Sequence, residues 1–146
     1  MSKTPIIICD IDGTIAKRKN REPYEYDKIE TDTPIKPVID CVKALSICNA
    51  AKVYFVSGRE GTPSCKAQTI YWINKHFDWE KPYNYELFMR KVKDYRKDSI
   101  VKREIYDEVI AGNFNVIMVF DDRDQMVNMW RKDLGLICLQ TNYGDF

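Results

Sequence analysis

Ile6, Ile7, Ile8 and Cys9 form an apolar run without alternation that ends directly in Asp10. A strand apolar on both faces has to be covered on both, which puts it in the middle of a parallel sheet between two layers of helices. The rest of the chain repeats the theme, with short apolar runs alternating with helical periodicity. The pattern predicts strands over Pro5–Ile11, Val53–Val56, Tyr85–Met89, Val116–Phe120 and Leu136–Leu139. It predicts one helix opening at Thr33-Pro34 with Val38, Val42 and Leu45 inward, and another from Thr62-Pro63 to about Phe77. A third runs from about Lys97 to Ile110 with Val101, Ile105 and Val109 on one side. A fourth, from about Asp124 to Leu134, turns Val127, Trp130 and Leu134 inward. The expected fold class is α/β: a Rossmann-like three-layer α/β/α sandwich around a central, mainly parallel five-stranded sheet. Such sheets bind ligands beyond the carboxyl ends of their strands. A chain of 146 residues suits one domain, 1–146, with little room for a second.

The residue inventory closes off several chemistries. His76 is the single histidine, so a His-rich zinc site is excluded and a Ser-His-Asp triad would rest on that residue alone. Near a helix end it reads as solvated. Cys9, Cys41, Cys48, Cys65 and Cys138 are odd in number and scattered, as expected of reduced thiols in a cytoplasmic protein. No apolar run approaches the roughly 18 residues of a membrane span, and Ile6–Cys9 is too short for a signal-peptide core. Net charge is only +1, but the basic residues cluster. Lys17, Arg18, Lys19 and Arg21 follow the first strand, and Arg90, Lys91, Lys93, Arg96, Lys97, Lys102 and Arg103 face only Asp94 and Asp98. Taken singly, each cluster reads as a solvated face.

The chemistry concentrates at the strand ends. In Asp10-Ile11-Asp12-Gly13-Thr14 the two carboxylates lie two apart, so a continued strand would point both into one site. Two buried carboxylates need a cation or a shared proton, and Mg2+ accepts such oxygen ligands. Gly13 permits a tight turn, and Thr14 offers a hydroxyl and amides to phosphate oxygens. Ser57 and Gly58 close the second strand with Arg59 beyond them, and Asp121 and Asp122 close the fourth, placed to complete a magnesium site with Asp10. Asp98 and Lys102 share a helix face, where Lys102 would neutralise Asp10 and a phosphate while Asp98 orients it or a neighbouring arginine. Alone, Ser57-Gly58 is an ordinary strand-ending turn and Asp98–Lys102 a surface pair. Their arrival at the same end of one sheet argues for a single site.

These elements resemble the four motifs of the haloacid dehalogenase-type phosphohydrolases, and more closely the 3'-phosphatase domain of phage polynucleotide kinase-phosphatase. The residues carrying the resemblance are Asp10 to Tyr24 (D-I-D-G-T-I-A-K-R-K-N-R-E-P-Y), Val56 to Glu60 (V-S-G-R-E) and Arg96 to Ile105 (R-K-D-S-I-V-K-R-E-I). Asp121 to Arg123 (D-D-R), Met129 to Arg131 (M-W-R) and the terminal G-D-F continue it, and the stretch from about Pro63 to Leu87 carries none of it. The resemblance implies Asp10 as nucleophile and Asp12 as general acid and base, with Ser57 and Lys102 completing the catalytic set. It implies Asp10, Asp12, Asp121 and Asp122 around Mg2+. Thr14, Arg21, Ser57, Gly58, Arg59, Arg90, Asp98, Lys102 and Arg123 would surround the phosphate and the nucleic-acid end. The relative carries a 5'-kinase domain. No G-x-x-x-x-G-K-[ST] loop occurs here, so the expectation is a phosphatase half standing alone.

The interval between Asp12 and Ser57, part of it used by the first helix, leaves little for a large cap, so the cap is expected to be minimal or absent. An open site flanked by the basic clusters suits a polymer end bound through its backbone phosphates. The expected partners are 3'-phosphorylated DNA or RNA ends, with a ligase or separate kinase beside the enzyme in end repair and no membrane. The expected compartment is cytoplasmic, the host's if the gene is phage-borne. A phosphatase of the same fold acting on a nucleotide or sugar phosphate would use the same catalytic residues and differ in substrate preference and salt dependence. A non-catalytic module binding nucleic-acid ends has no use for an acid beside a nucleophile.

Overall fold

The computed structural model describes residues 2–146. Strand β1 (Thr4–Cys9) lies at the centre of a five-stranded sheet. It pairs in parallel with β4 (Lys52–Glu60) on one side and β6 (Phe114–Asp121) on the other. Strand β5 (Tyr85–Arg90) lies outside β4 and β7 (Cys138–Gln140) outside β6, both parallel. Alternate residues of β1 feed two cores. Ile7 and Cys9 pack on one face with Val42, Phe55, Trp72 and Phe77, while Ile6 and Ile8 pack on the other with Val56, Ile110, Val127 and Trp130. Burial on both faces is what the unbroken Ile6–Cys9 run demands.

Helix α1 (Lys36–Asn49) connects β1 to β4, and α2 (Pro63–Phe77) connects β4 to β5. Helix α3 (Asp98–Ile105) leads toward β6 and α4 (Asp124–Asn128) toward β7. The chain moves outward from β1 through β4 to β5, then crosses to the far side for β6 and β7. The crevice where the order reverses therefore opens at the carboxyl end of β1, where such sheets bind ligands. Cys9 pairs with Phe55 and with Phe120, which sets Asp10 level with the ends of β4 and β6.

Several boundaries depart from the sequence reading. The first strand ends at Cys9 rather than Ile11, because the amides of Thr14, Ile15 and Ala16 all turn back to the Ile11 carbonyl. Thr33-Pro34 does not open a helix. It forms a short strand, β3, antiparallel to β2 (Ala16–Lys17), and the Ile35 amide donates to the Ile15 carbonyl at 2.8 Å. The helix starts beyond it, with Pro37 in its first turn, where a missing amide costs nothing. A 3-10 segment, Tyr26–Thr31, completes the excursion between β2 and β3. Helix α2 begins as expected, the Thr62 hydroxyl accepting from the Cys65 amide at 3.2 Å. The helices expected to run to Ile110 and Leu134 both widen into π-helical turns, at Tyr106–Ile110 and Met129–Asp133. His76 is half-buried, its ring 4.4 Å from that of Trp72, rather than free in solvent. All five thiols are free, and among the described residues no helix is long and apolar enough to cross a membrane.

Candidate active site

Asp10 is the first residue past β1, its amide still bonded to the Phe120 carbonyl at 2.9 Å. Its carboxylate is buried between two donors: Lys102 Nζ lies 2.6 Å from Oδ1, and the Thr14 hydroxyl donates to Oδ2 at 2.9 Å. Lys102 comes from α3 and also reaches Asp121 Oδ2 at 3.4 Å. Asp121 closes β6 and is held by further donors, the Asp122 amide at 2.9 Å and the Trp130 indole at 3.1 Å. Asp10, Asp121 and Asp122 bring carboxylate oxygens within 4.8 Å of one another. Three buried carboxylates against one ammonium are undercompensated. Burial, followed by the neighbouring Asp121 and Asp122 charges, pushes the Asp10 carboxyl well above its ordinary value in spite of Lys102. Asp122 is raised as well, by burial and then by Asp121. The Lys102 ammonium is held charged, since Asp10 and Asp121 overcome the cost of its burial. An all-oxygen cluster with uncompensated negative charge fits a divalent cation of the magnesium type.

Gly13 explains how the loop closes over this cluster. It adopts φ +82°, and a Cβ there would stand 2.1 Å from Asp122 Oδ2. A side chain at 13 would therefore displace one of the three acids.

Asp12 does not join Asp10. Because the chain turns at Ile11, the pleat that would have aligned the two side chains is gone, and Asp12 faces the end of β4 instead. There Arg59 grips it with both arms of its guanidinium, Nε at 2.9 Å from Oδ2 and a terminal nitrogen at 2.8 Å from Oδ1. Asp12, expected among the metal ligands, has its carboxylate outside the clustered acids, which are Asp10, Asp121 and Asp122. Its pKa also moves in the opposite direction from that of Asp10. Burial does push it up, but the charge and hydrogen bonds of Arg59, with Arg21 behind, bring it below the ordinary value.

Behind this fork lies a residue that sequence reasoning missed. Asp32 is buried and accepts from Arg21 at 2.8 and 2.7 Å and from Arg59 at 3.0 Å. Its backbone carbonyl accepts from the Trp72 indole at 3.0 Å, and Arg59 also donates to the Thr69 hydroxyl. Arg21, expected at the phosphate, is thus sealed in an ion pair whose two side chains are wholly buried, and it only grazes Asp12 at 3.5 Å. The usable signal was charge balance: two arginines near a buried turn demand a buried acid.

The remaining residues form a wall. Asp98 accepts from Arg90 and, at 3.2 Å, from Arg123, so it orients arginines rather than Lys102. Arg90 also donates to the Gly58 carbonyl at 2.9 Å, tying the irregular end of β4 to β5. Ser57 is buried, its hydroxyl accepting from the Arg59 amide at 3.1 Å, and Thr14 is buried against Asp10. Asp10, Asp12, Arg59, Arg90, Lys102 and Arg123 all face one open cavity of about 590 Å³. Its floor is acidic and its wall cationic. This arrangement can hold a dianion over Asp10 with a second carboxylate at hand for proton transfer.

Comparison with known proteins agrees with this geometry. The family model described as the polynucleotide kinase PNKP phosphatase domain matches residues 4–146. The "Putative bifunctional polynucleotide kinase/RNA ligase" of Autographa californica nuclear polyhedrosis virus is 41% identical over 126 residues, 86% of this chain and 17% of that protein. Among solved structures, a chain of the Pnkp1/Rnl/Hen1 complex superposes with a TM-score of 0.87 at 38% identity, covering 99% of this chain and 48% of that one. A chain of the Pnkp1/Rnl/Hen1 RNA repair complex gives 0.86 at 37%, over 99% of this chain and 44% of that one. The chain therefore spans less than half the length of each of these relatives. It belongs to the haloacid dehalogenase-type phosphatase-domain family of the polynucleotide kinase-phosphatases.

Proposed function

We propose that this protein is a Mg2+-dependent phosphomonoesterase that removes 3'-terminal phosphate from polynucleotide ends. The observation that carries the reading is the pairing of Asp10, buried against Lys102 among uncompensated acids, with Asp12 held beside it in the Arg59 fork. Asp10, Asp121 and Asp122 would hold the metal, which when bound supplies positive charge to the phosphate oxygens and to the Asp10 carboxylate. Asp10 attacks phosphorus in line, forming the Asp10–O–P bond as the P–O3' bond breaks. Lys102 aims the carboxylate and favours its ionised form against the burial that raises its pKa. Asp12 gives its proton to the departing O3', then removes one from the water that cleaves the aspartyl phosphate and returns Asp10.

In the resting site Arg59 keeps Asp12 ionised. The acid step therefore requires the incoming phosphate dianion to draw Arg59 away, which raises the Asp12 pKa when a leaving group is present to be protonated. Arg90 and Arg123, aligned by Asp98, extend the cationic wall toward the next nucleotide.

Between β1 and α1 stand only a short hairpin and a 3-10 turn, leaving the cavity open to a chain end. A 3'-phosphate blocks the hydroxyl that end joining needs, so the product of this reaction is a substrate for a ligase. The relatives bear the names of RNA ligase and RNA repair assemblies, which makes RNA ends the first to test. The deciding assay is phosphate release, with Mg2+ and with chelator, from matched RNA and DNA oligonucleotides phosphorylated at the 3' or the 5' end. The expected result is metal-dependent release confined to 3' ends. Turnover of a small phosphate ester without release from any oligonucleotide would keep the chemistry and overturn the polynucleotide assignment.

A further inference from the structure

The rim of the same cavity carries three aromatic rings that the fold does not bury. Tyr24 is 84%, Tyr95 85% and Phe146 68% exposed, and all three line the cavity that holds Asp10. Large rings left this open contribute little to folding, so their placement calls for another cause.

Each stands on an anchored segment. Arg21 donates to the Glu22 and Pro23 carbonyls, fixing the backbone just before Tyr24. The loop carrying Tyr95 is clamped from within by Arg90, which donates to the Asp94 and Arg96 carbonyls. Arg96 further pairs with Asp94 and Glu104. Phe146 is held by its own backbone, whose carbonyl accepts from Arg123 at 2.6 Å, while the Arg123 guanidinium lies 5.4 Å from its ring centre. The tail reaches there because Gly144 packs directly on the acid loop. A Cβ at 144 would stand 2.0 Å from the Asp122 carbonyl, and the Asp124 amide donates to the Gly144 carbonyl at 2.8 Å. Anchored backbones thus present exposed rings. Arg18 and Lys97 stand exposed among them on the same cavity.

Aromatic faces interleaved with cations on a groove are the arrangement that binds single-stranded nucleic acid, where unpaired bases stack and backbone phosphates meet the charges. A paired end buries its base faces within the duplex and offers only one outer face, which cannot engage rings approaching from three segments. We propose that Tyr24, Tyr95 and Phe146 form a stacking collar that holds the bases of unpaired 3'-terminal nucleotides and makes this a single-strand-selective site. The proposal rests on the reading of the substrate as a polynucleotide end.

The test compares kcat/KM on a 3'-phosphorylated single strand, the same strand with abasic sugars at its last positions, and a blunt duplex. It uses the wild type and Tyr24→Ala, Tyr95→Ala and Phe146→Ala. The wild type is expected to prefer the intact single strand over both other substrates. Each variant should lose about tenfold on the intact strand and narrow its intact-to-abasic ratio, since one stacked base is removed from either side of the contact. Tyr71→Ala, an exposed ring on α2, is expected to leave both unchanged. A wild type that cleaves oligonucleotides without distinguishing intact from abasic ends overturns the collar alone. So do variants that lose equally on both strands. A wild type active on a small ester but on no oligonucleotide overturns the polynucleotide reading itself.

Discussion

The two carboxylates of the D-x-D motif live in opposite electrostatic worlds. Around Asp10, three carboxylates (Asp10, Asp121, Asp122) meet one ammonium (Lys102). Around Asp12, two carboxylates (Asp12, Asp32) meet two guanidiniums (Arg21, Arg59). The first region is short of positive charge, and Asp10 and Asp122 are pushed upward. The second is balanced, and Asp12 is pulled downward. The difference separates two tasks. On the proposed reading, a region short of positive charge can take up a metal and a phosphate, whereas a balanced one holds its proton carrier in place until phosphate draws Arg59 away.

The largest expected effect lies on the incomplete side. Asp10→Asn removes the attacking oxygen and should lower kcat by about 10⁴-fold or more. The same change relieves crowding among the acids, so the metal-free protein should melt no lower than wild type. An Asn variant that retained substantial turnover would sink the nucleophile assignment. One that unfolded would show that Asp10 has a structural role the charge count does not give it.

On the balanced side the order reverses, with stability suffering first. Asp32→Ala leaves Arg21 and Arg59 buried without their shared acid. Breaking such a pair from one side costs about 3–5 kcal/mol, measurable by denaturant unfolding. Asp12 would lose its fixed fork as a consequence, and kcat should fall with it. A stability change below about 1 kcal/mol would mean that water already compensates these guanidiniums.

How much of this was legible follows the same division. The five parallel strands and the grouping of Asp10, Asp121 and Asp122 follow from apolar runs that end in charged residues, a signal local to each strand end, and Lys102 follows from the helix face it shares with Asp98. Asp32 has no such local mark. It sits between Thr31 and Thr33 in a stretch that reads as a helix entrance, and only the fold brings Arg21 and Arg59 to it from 11 and 27 residues away. The direction of Asp12 was misjudged for a related reason, since period-two reasoning holds only while the strand lasts, and the turn at Ile11 ends it. Trp130 was read as inward packing, which is right, but its indole donor is visible only once the π-helical turn sets it against Asp121.

A pH experiment sharpens the comparison. A carboxyl whose folded pKa is raised binds more protons folded than unfolded between its ordinary and its raised value. Stability from the Asp10 side of the metal-free protein therefore falls as pH rises through that window. Asp12, with its lowered pKa, contributes stability that is present above the ordinary value and lost as pH falls through its folded one. Chelated protein should thus show a Tm that falls as pH rises above the ordinary carboxylate range, at about 2–4 °C per kcal/mol, and saturating Mg2+ should abolish the fall. A Tm that rises across this range with chelator present would place the dominant strain elsewhere.

The smallest effect concerns how the incomplete side is kept open for its cation. Asp121 Oδ2 is shared by Lys102 at 3.4 Å and the Trp130 indole at 3.1 Å, and the shorter contact comes from a neutral donor. A neutral donor orients the carboxylate without cancelling its charge, so the oxygen stays available to a metal. Trp130→Phe keeps an aromatic ring in the core and removes only that donor together with part of the ring volume. The Mg2+ concentration for half-maximal activity should rise by about tenfold, the low end for losing a donor to a metal-binding carboxylate, with kcat at saturating metal nearly restored. A loss of kcat that saturating Mg2+ fails to recover would instead mean that Trp130 acts through packing under β6. In that case Lys102 and the Asp122 amide position Asp121 without help from the indole.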